Sequence, residues 1–442
     1  MAHASVSQAR HGRRGLAIVL LVALVLRMGW ALSRPAGDAA IDALPDQREY
    51  LSLASNLLHG QGLMFIDKRF NDQVFAFRMP GYPVFLAACG ANPRIARAVQ
   101  AVVDTSTVLA VYLLAVLLAP VRRGDAVGLV AAWIVTLNPY LIYFSGLLLS
   151  ETVFTAMLAW AMYLMLRGGG GQSASWRQTF VWLGGCALLA ISILVRPSAI
   201  ALGVVIALAA VIVNHRRAKA YQQAKGTASV VGARWPLPAG ATMLLLAAVV
   251  LTPWGLRDFR ILGRWVPLDT NTGFTLYDGY NPEATGGSDQ SFVDRQPQLQ
   301  VLSEVDRSDY LAAKARQYAS EHPAHCTWLA AAKLARFWSP VTLSSDYAQP
   351  RYRLAGFLYG VPMDVLILSG LFWGDLAPTV KFFLLTPALY FSIVHALTVG
   401  SLRYRMPSEP PMAILAASVV AAGRANSWKR TSSPSPSGRG SG

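Results

Sequence analysis

Charge is scarce in this chain. Only 14% of its 442 residues are Asp, Glu, Lys or Arg, against about 25% in an ordinary soluble domain. The charges also cluster and leave long runs with none, while 54% of the residues are hydrophobic. That excludes a plain soluble globular domain. Uncharged runs of about 18 or more apolar residues read as membrane spans. Cysteine is nearly absent: Cys89, Cys186 and Cys326 are far apart and form no CxxC pair. Cys186 falls inside an expected span, so only Cys89 and Cys326 could be cross-linked, and free thiols are the simpler expectation. The sequence has no Ser-His-Asp order, Walker loop, GxGxxG or cluster of metal ligands. Its histidines are scattered, and none is assigned to a metal or cofactor. Acidic residues are outnumbered 23 to 39, a net charge of +16. Nucleic acid is not the implied partner, because much of the excess falls in short loops between apolar spans, where orientation rules put it.

Ten spans are expected, at 15–33, 95–119, 126–144, 148–166, 178–195, 198–213, 237–254, 355–373, 379–398 and 407–423. Arg10, Arg13 and Arg14 precede the first, which contains Arg27 and lacks a clear cleavage site, so it reads as an uncleaved span. With the N-terminus (1–14) inside, the short connections carry Arg122 and Arg123, Arg167 and Arg177, then Arg216, Arg217, Lys219, Lys225 and Arg234. The tail, 424–442, carries Arg424, Lys429 and Arg430. All the expected cytoplasmic connections but 374–378 are thus basic, which is the positive-inside pattern and places both termini in the cytoplasm. The glycine run 168–171 reads as a flexible connection and the Ser-Pro-rich tail as disordered. The chain thus divides into a bundle over 15–254 with a first outer loop at 34–94, a second outer loop region at 255–354, and C-terminal spans over 355–423.

Most of the acidic residues fall in the two outer loops, which also keep many arginines. A basic residue on the outer face usually has something anionic to hold. Residues 46–59 predict a helix, with Asp46 at or near the N-cap and Gly60 and Gly62 ending it. Its Tyr50, Leu53, Leu57 and Leu58 share a face, which suggests a helix lying along the membrane surface. A short apolar helix, PGYPVFLAACG, follows Arg78. In the second loop 300–321 is amphipathic and 324–338 is a further helix carrying Lys333 and Arg336. Surface-lying helices of this kind make a roofed cleft at the membrane–water boundary.

Candidate chemistry gathers there. Asp46 and Glu49 stand about one helical turn apart on one face, with Asp38 and Asp42 upstream. An acid roofed by apolar side chains can have a raised pKa and act as a general base. The alternative, that Asp46 only caps the helix and Glu49 is only solvated, stays open. Arg78 precedes Pro80-Gly81-Tyr82-Pro83, a rigid turn that aims it. Arg196-Pro197 ends one span, Glu151 follows Ser150 at the mouth of another, and Arg403-Tyr404-Arg405 precedes the last. Arginines at one level form a phosphate ring, since guanidinium binds phosphate oxygens bidentately; snorkelling and salt bridges are the plain alternatives.

Taken in order, these pieces resemble the GT-C membrane glycosyltransferases, in particular bacterial proteins akin to protein O-mannosyltransferases and lipid A aminoarabinose transferases. The motifs are Asp46-x-x-Glu49-Tyr50, Gly60-x-Gly62, Arg78-x-Pro80-Gly81-Tyr82-Pro83, Ser150-Glu151, Arg196-Pro197, Pro253-Trp254-x-x-Arg257, Gly279-x-Asn281-Pro282 and Arg403-Tyr404-Arg405-x-Pro407. Asp258 stands where many members have Asn. The resemblance covers most of 15–423. It implies an all-α polytopic bundle of about ten spans with outer-face amphipathic helices. It also implies transfer of a sugar from a polyprenyl-phosphate carrier to an acceptor lipid, glycan or protein on the outer face of a bacterial plasma membrane, without a nucleotide or other cofactor. Asp46 would be the general base, with Glu49 beside it. Arg78, Arg196, Arg403 and Arg405 would hold the donor phosphate, and Tyr50, Tyr82, Glu151, Arg257 and Asn281 would touch substrate. Two other classes are weighed. A transporter or lipid flippase requires charges near the bilayer midplane and often internal repeats, and neither stands out. A non-catalytic envelope-assembly protein requires no outer carboxylate.

Overall fold

The computed structural model describes residues 2–169, 175–225, 236–343 and 349–431. Gly170 and Gly171, the basic stretch with Arg234, and the Ser-Pro-rich tail from 432 onward lie outside the described residues. In chain order the helices are α1 (Ala2–Ser33), α2 (Asp38–Asp42), α3 (Pro45–Leu58), α4 (Gly81–Ala88), α5 (Pro93–Leu118), α6 (Gly124–Leu137), α7 (Pro139–Ser145), α8 (Glu151–Gly168), α9 (Trp176–Ser192), α10 (Leu202–Lys225), α11 (Pro236–Leu262), α12 (Asn271–Gly279), α13 (Glu304–Glu321), α14 (Pro323–Trp338), α15 (Pro350–Trp373), α16 (Pro378–Ala396) and α17 (Glu409–Thr431). A two-stranded antiparallel hairpin, β1 (Phe65–Asp67) and β2 (Asp72–Val74), interrupts the first outer loop and pairs Phe65 with Val74. The all-α reading missed it because three-residue strands leave no period to count.

Each expected span falls on a helix, with one on the bent pair α6–α7. Among the described residues, six helices are long and apolar enough to cross a membrane, or seven if α6 and α7, bent by 56° at the Asn138-Pro139 break, count as one. Proline at 139 fits the first turn of a helix but has no N–H to continue the previous one. Asn138 caps the new turn by accepting from the N–H groups of Tyr140 and Leu141. α5 is the central element, packed against α1, α6 and α8.

One polar feature locks the bundle centre. Arg27 and Asp104 form a fully buried ion pair at 2.5 Å between α1 and α5. The same guanidinium donates to the carbonyls of Val135 (3.0 Å) and Thr136 (3.1 Å) on α6. Arg27 therefore ties three helices together and does not belong to the outer ring of arginines.

The two long loops share one apolar core, built from Leu53, Phe65 and Phe77 of the first and Phe274, Phe292 and Leu311 of the second. A buried carboxylate stitches them. Glu304, opening α13, accepts from the N–H groups of Phe75 (2.6 Å) and Ala76 (2.9 Å) and from the Thr270 hydroxyl (2.7 Å). Burial pushes its carboxyl pKa up, against those donors. Protein covers most of the apolar face of α3: Tyr50 and Ala54 pack into the bundle core and Leu53 into the loop core, and of its four apolar face residues only Leu58 is exposed. All three cysteines are free.

Candidate active site

Five segments distant in sequence bring their charged side chains together above the bundle. Pro45 at the first position of α3 starts the helix, so Asp46 lies in the first turn rather than at the N-cap, and its carboxylate caps nothing. It faces two guanidiniums instead. Arg78 Nη2 reaches Asp46 Oδ1 at 2.5 Å, and Arg403 Nη1 reaches Asp46 Oδ2 at 2.9 Å. Arg78 also donates through Nε to Glu49 Oε2 at 2.7 Å. Arg403 donates through Nε to Glu151, which Arg196 approaches at 3.4 Å. The result is an alternating row, Glu49–Arg78–Asp46–Arg403–Glu151–Arg196.

Local sequence explains how the row is held. Gly81 lets the Arg78 turn touch the Leu194–Arg196 segment: its N–H donates to the Leu194 carbonyl at 2.8 Å, and a Cβ would stand 2.7 Å from that oxygen. Two arginine-bearing segments are thereby set side by side. Tyr50 and Tyr82 meet edge to face at 4.9 Å beneath the row, and Arg78 lies over the Tyr50 ring at 5.4 Å. The Tyr82 hydroxyl is spent on Gln100. Tyr404 stacks flat on His395 at 4.1 Å, with Arg196 5.5 Å from its ring, so the Arg403 turn is fixed from behind.

Burial acts to raise the Asp46 pKa, but the opposing charges of Arg78 and Arg403 prevail and hold its carboxyl well below the usual range. Glu49 behaves oppositely, because burial outweighs Arg78 and raises its pKa. The neighbouring carboxyls of one helical turn are thus driven apart.

Three sequence candidates are not brought into the row. Arg405 is buried and pairs with Glu409 at 2.7 Å and donates to the Trp338 carbonyl at 3.1 Å. Arg257 donates to Asp258 (2.5 Å) and to the carbonyls of Phe75 (2.7 Å) and Leu63 (2.6 Å), bracing the first loop. Asn281 folds its own turn, donating to the Tyr277 carbonyl at 2.8 Å and accepting from the Glu283 N–H at 2.8 Å. One acid was missed: Asp269, next to Thr270, whose N–H donates to the Ala76 carbonyl at 2.9 Å. Burial pushes its carboxyl up to about 6, with the Thr272 hydroxyl and the charge of Arg78 acting against it. A single Asp in a loop gives no spacing by which to find it.

Beside Arg403 an apolar cavity of about 240 Å³ opens between the loop-side ends of α1, α7 and α15, lined by Trp30, Tyr140, Tyr143, Phe144, Tyr352 and Leu402. Among the described residues, no group of three or more His, Cys, Asp or Glu is arranged to hold a metal ion.

No protein-family model matches the chain, and no curated protein matches it in sequence. Solved structures do match in fold. The oligosaccharyltransferase AglB from Archaeoglobus fulgidus, in complex with an inhibitory peptide and a dolichol-phosphate, aligns over 98% of this chain and 53% of its own, with TM-score 0.55 and 13% identity. The apo form of the Archaeoglobus fulgidus oligosaccharyltransferase aligns over 96% of this chain and 52% of its own, with TM-score 0.54 and 13% identity. ArnT from Cupriavidus metallidurans, bound to undecaprenyl phosphate, aligns over 93% of this chain and 78% of its own, with TM-score 0.33 and 14% identity. The chain spans about half the length of the archaeal protein it matches. At this identity the likeness is one of fold. The chain is a helical membrane protein with the GT-C fold, as the order of its motifs led one to expect.

Proposed function

We propose that this chain is a membrane glycosyltransferase that moves a sugar from a polyprenyl-phosphate carrier to a hydroxyl acceptor at the outer face of a bacterial plasma membrane, with both termini in the cytoplasm. The observation that carries the reading is the alternating charged row next to an apolar cavity. Arg403 stands at the junction, paired with Asp46 and Glu151 on one side and lining the cavity on the other. An amphiphile with one anionic group and a hydrocarbon tail fits that junction. Its phosphate exchanges for carboxylate on Arg403 and Arg78, and its first isoprene units enter the cavity, where burial stabilises them by about 0.8 kcal/mol per CH₂.

The same exchange gives Asp46 its task. While both its oxygens are held by guanidinium it is a weak base. A donor phosphate that takes over Arg403 and Arg78 frees a carboxylate oxygen and lets its pKa rise. Asp46 then accepts the proton of the acceptor hydroxyl as that oxygen attacks the anomeric carbon. The bond from that carbon to the phosphate oxygen breaks, and the departing phosphate keeps the electron pair against Arg78, Arg403 and Arg196. Glu49 keeps hold of the other side of Arg78, and burial disfavours its charge despite that guanidinium.

The reading is tested by mass spectrometry of lipid-linked sugars from a strain lacking this chain. One carrier-linked sugar is expected to accumulate, with loss of the matching envelope glycan. Unchanged carrier pools and glycans count against the proposal.

A further inference from the structure

The second outer loop contains two consecutive helices whose exposed faces are opposite in character. On α13 the exposed residues include Asp306, Asp309, Arg316, Gln317 and Glu321, a face made for water. The chain turns at His322-Pro323, and α14 exposes Ala324, Thr327, Trp328, Ala331, Ala335 and Trp338. No charge is among them, although Trp328 is 56% exposed. Both charged residues of this helix are turned away. Lys333 is fully buried with its ammonium 3.7 Å from the centre of the Tyr280 ring, and the Arg336 guanidinium lies over Gly287, so close that a Cβ there would stand 2.4 Å from Nη2. His325 is stacked on Trp328 at 5.6 Å.

The uncharged face does not stand alone. Trp338 Nε1 donates to Ser392 Oγ on α16 at 3.0 Å. Around Ser392, α16 exposes Leu389 (43%) and Ile393 (65%), and Leu397 just past its end is 58% exposed, on a helix apolar and long enough to span a membrane. The Trp338–Ser392 bond therefore sets the uncharged face of α14 beside exposed apolar side chains at the end of a helix able to span a membrane. Tryptophan, with an apolar body and one N–H, is the residue enriched at the membrane–water boundary.

We propose that α14 lies in the interfacial layer of the bilayer, with its Trp328–Trp338 face against lipid acyl chains, while α13 stands in water above it. Interfacial helices of this kind bury their apolar face about 5–10 Å into the head-group boundary. The inference is independent of the reaction proposed above. It gives the loop unit a membrane anchor directly behind the Arg403 turn, since Gly400 packs on the Lys333 backbone.

The experiment is spin-label accessibility in lipid nanodiscs. Ala331→Cys and Ala335→Cys on α14, and Ala313→Cys on α13, are labelled in a background carrying Cys89→Ala, Cys186→Ala and Cys326→Ala. Labels at 331 and 335 are expected to be relaxed by oxygen and shielded from a water-soluble nickel chelate, and the label at 313 the reverse. Nickel access at 331 equal to that at 313 overturns the proposal. So does shielding from both agents, which would indicate a second copy or another protein on this face. If the cysteine-free background does not fold, the fluorescence difference between the native chain and Trp328→Phe reads the same question. Quenching of that difference by brominated phosphatidylcholine supports the proposal. Quenching by aqueous iodide, or by neither, overturns it.

Discussion

On the proposed reading, Arg403→Met is expected to weaken binding of a polyprenyl phosphate by at least about thirtyfold, because truncating one partner of a close charge pair costs roughly 2–5 kcal/mol. Arg403 is the one guanidinium shared between Asp46, Glu151 and the apolar cavity. Removing it also strands Glu151, which is 1% exposed and left with Arg196 at 3.4 Å. A loss of folding would mimic a loss of binding, so the variant is read by thermal unfolding alongside affinity. Arg403→Lys separates the two. One ammonium keeps the charge but loses the planar fork that serves two carboxylates at once. Folding is expected to recover more than lipid affinity does.

The second large effect lies far from the reaction. Arg27→Met leaves Asp104 charged and fully buried in the bundle, and two carbonyls of α6 lose their donor. Breaking one side of a buried pair costs about 3–5 kcal/mol. The variant is expected to unfold at a markedly lower temperature in detergent. The double change Arg27→Met with Asp104→Leu removes both charges, and most of the lost stability is expected to return. If the single and double variants unfold alike, the ion pair is not what holds α1 to α5.

Sequence reasoning reached the fold because a membrane span is a long, local signal. Eighteen apolar residues in a row do not depend on what packs against them, and the motif order from Asp46 to Arg405 could be read one piece at a time. It named all six residues of the charged row for the same reason: Asp46-x-x-Glu49, Arg78 before a double-proline turn, Ser150-Glu151, Arg196-Pro197 and the Arg403 turn are each local patterns. What it could not supply was pairing. Arg403 and Arg405 are two residues apart and look alike on paper, yet one faces Asp46 and the other Glu409. Arg27 could be placed inside the first span but not paired, because its partner Asp104 is 77 residues away. Asp269 and Glu304 carry no spacing that distinguishes them from other loop acids. Their positions follow from the backbone of the first loop, which neither touches in sequence. Protein packs on most of the apolar face of α3, which an apolar face by itself does not say.

The most direct test of the central claim is turnover by Asp46→Asn. Purified protein in nanodiscs is supplied with the carrier-linked sugar that accumulates when the chain is absent, and transfer is followed by mass spectrometry. Asparagine keeps the size of the side chain and a hydrogen bond to Arg403 but cannot accept the proton. The account predicts a fall in turnover of roughly 10²- to 10⁴-fold, the usual contribution of a positioned base, with affinity for the polyprenyl phosphate carrier retained. Full turnover by Asp46→Asn would contradict it.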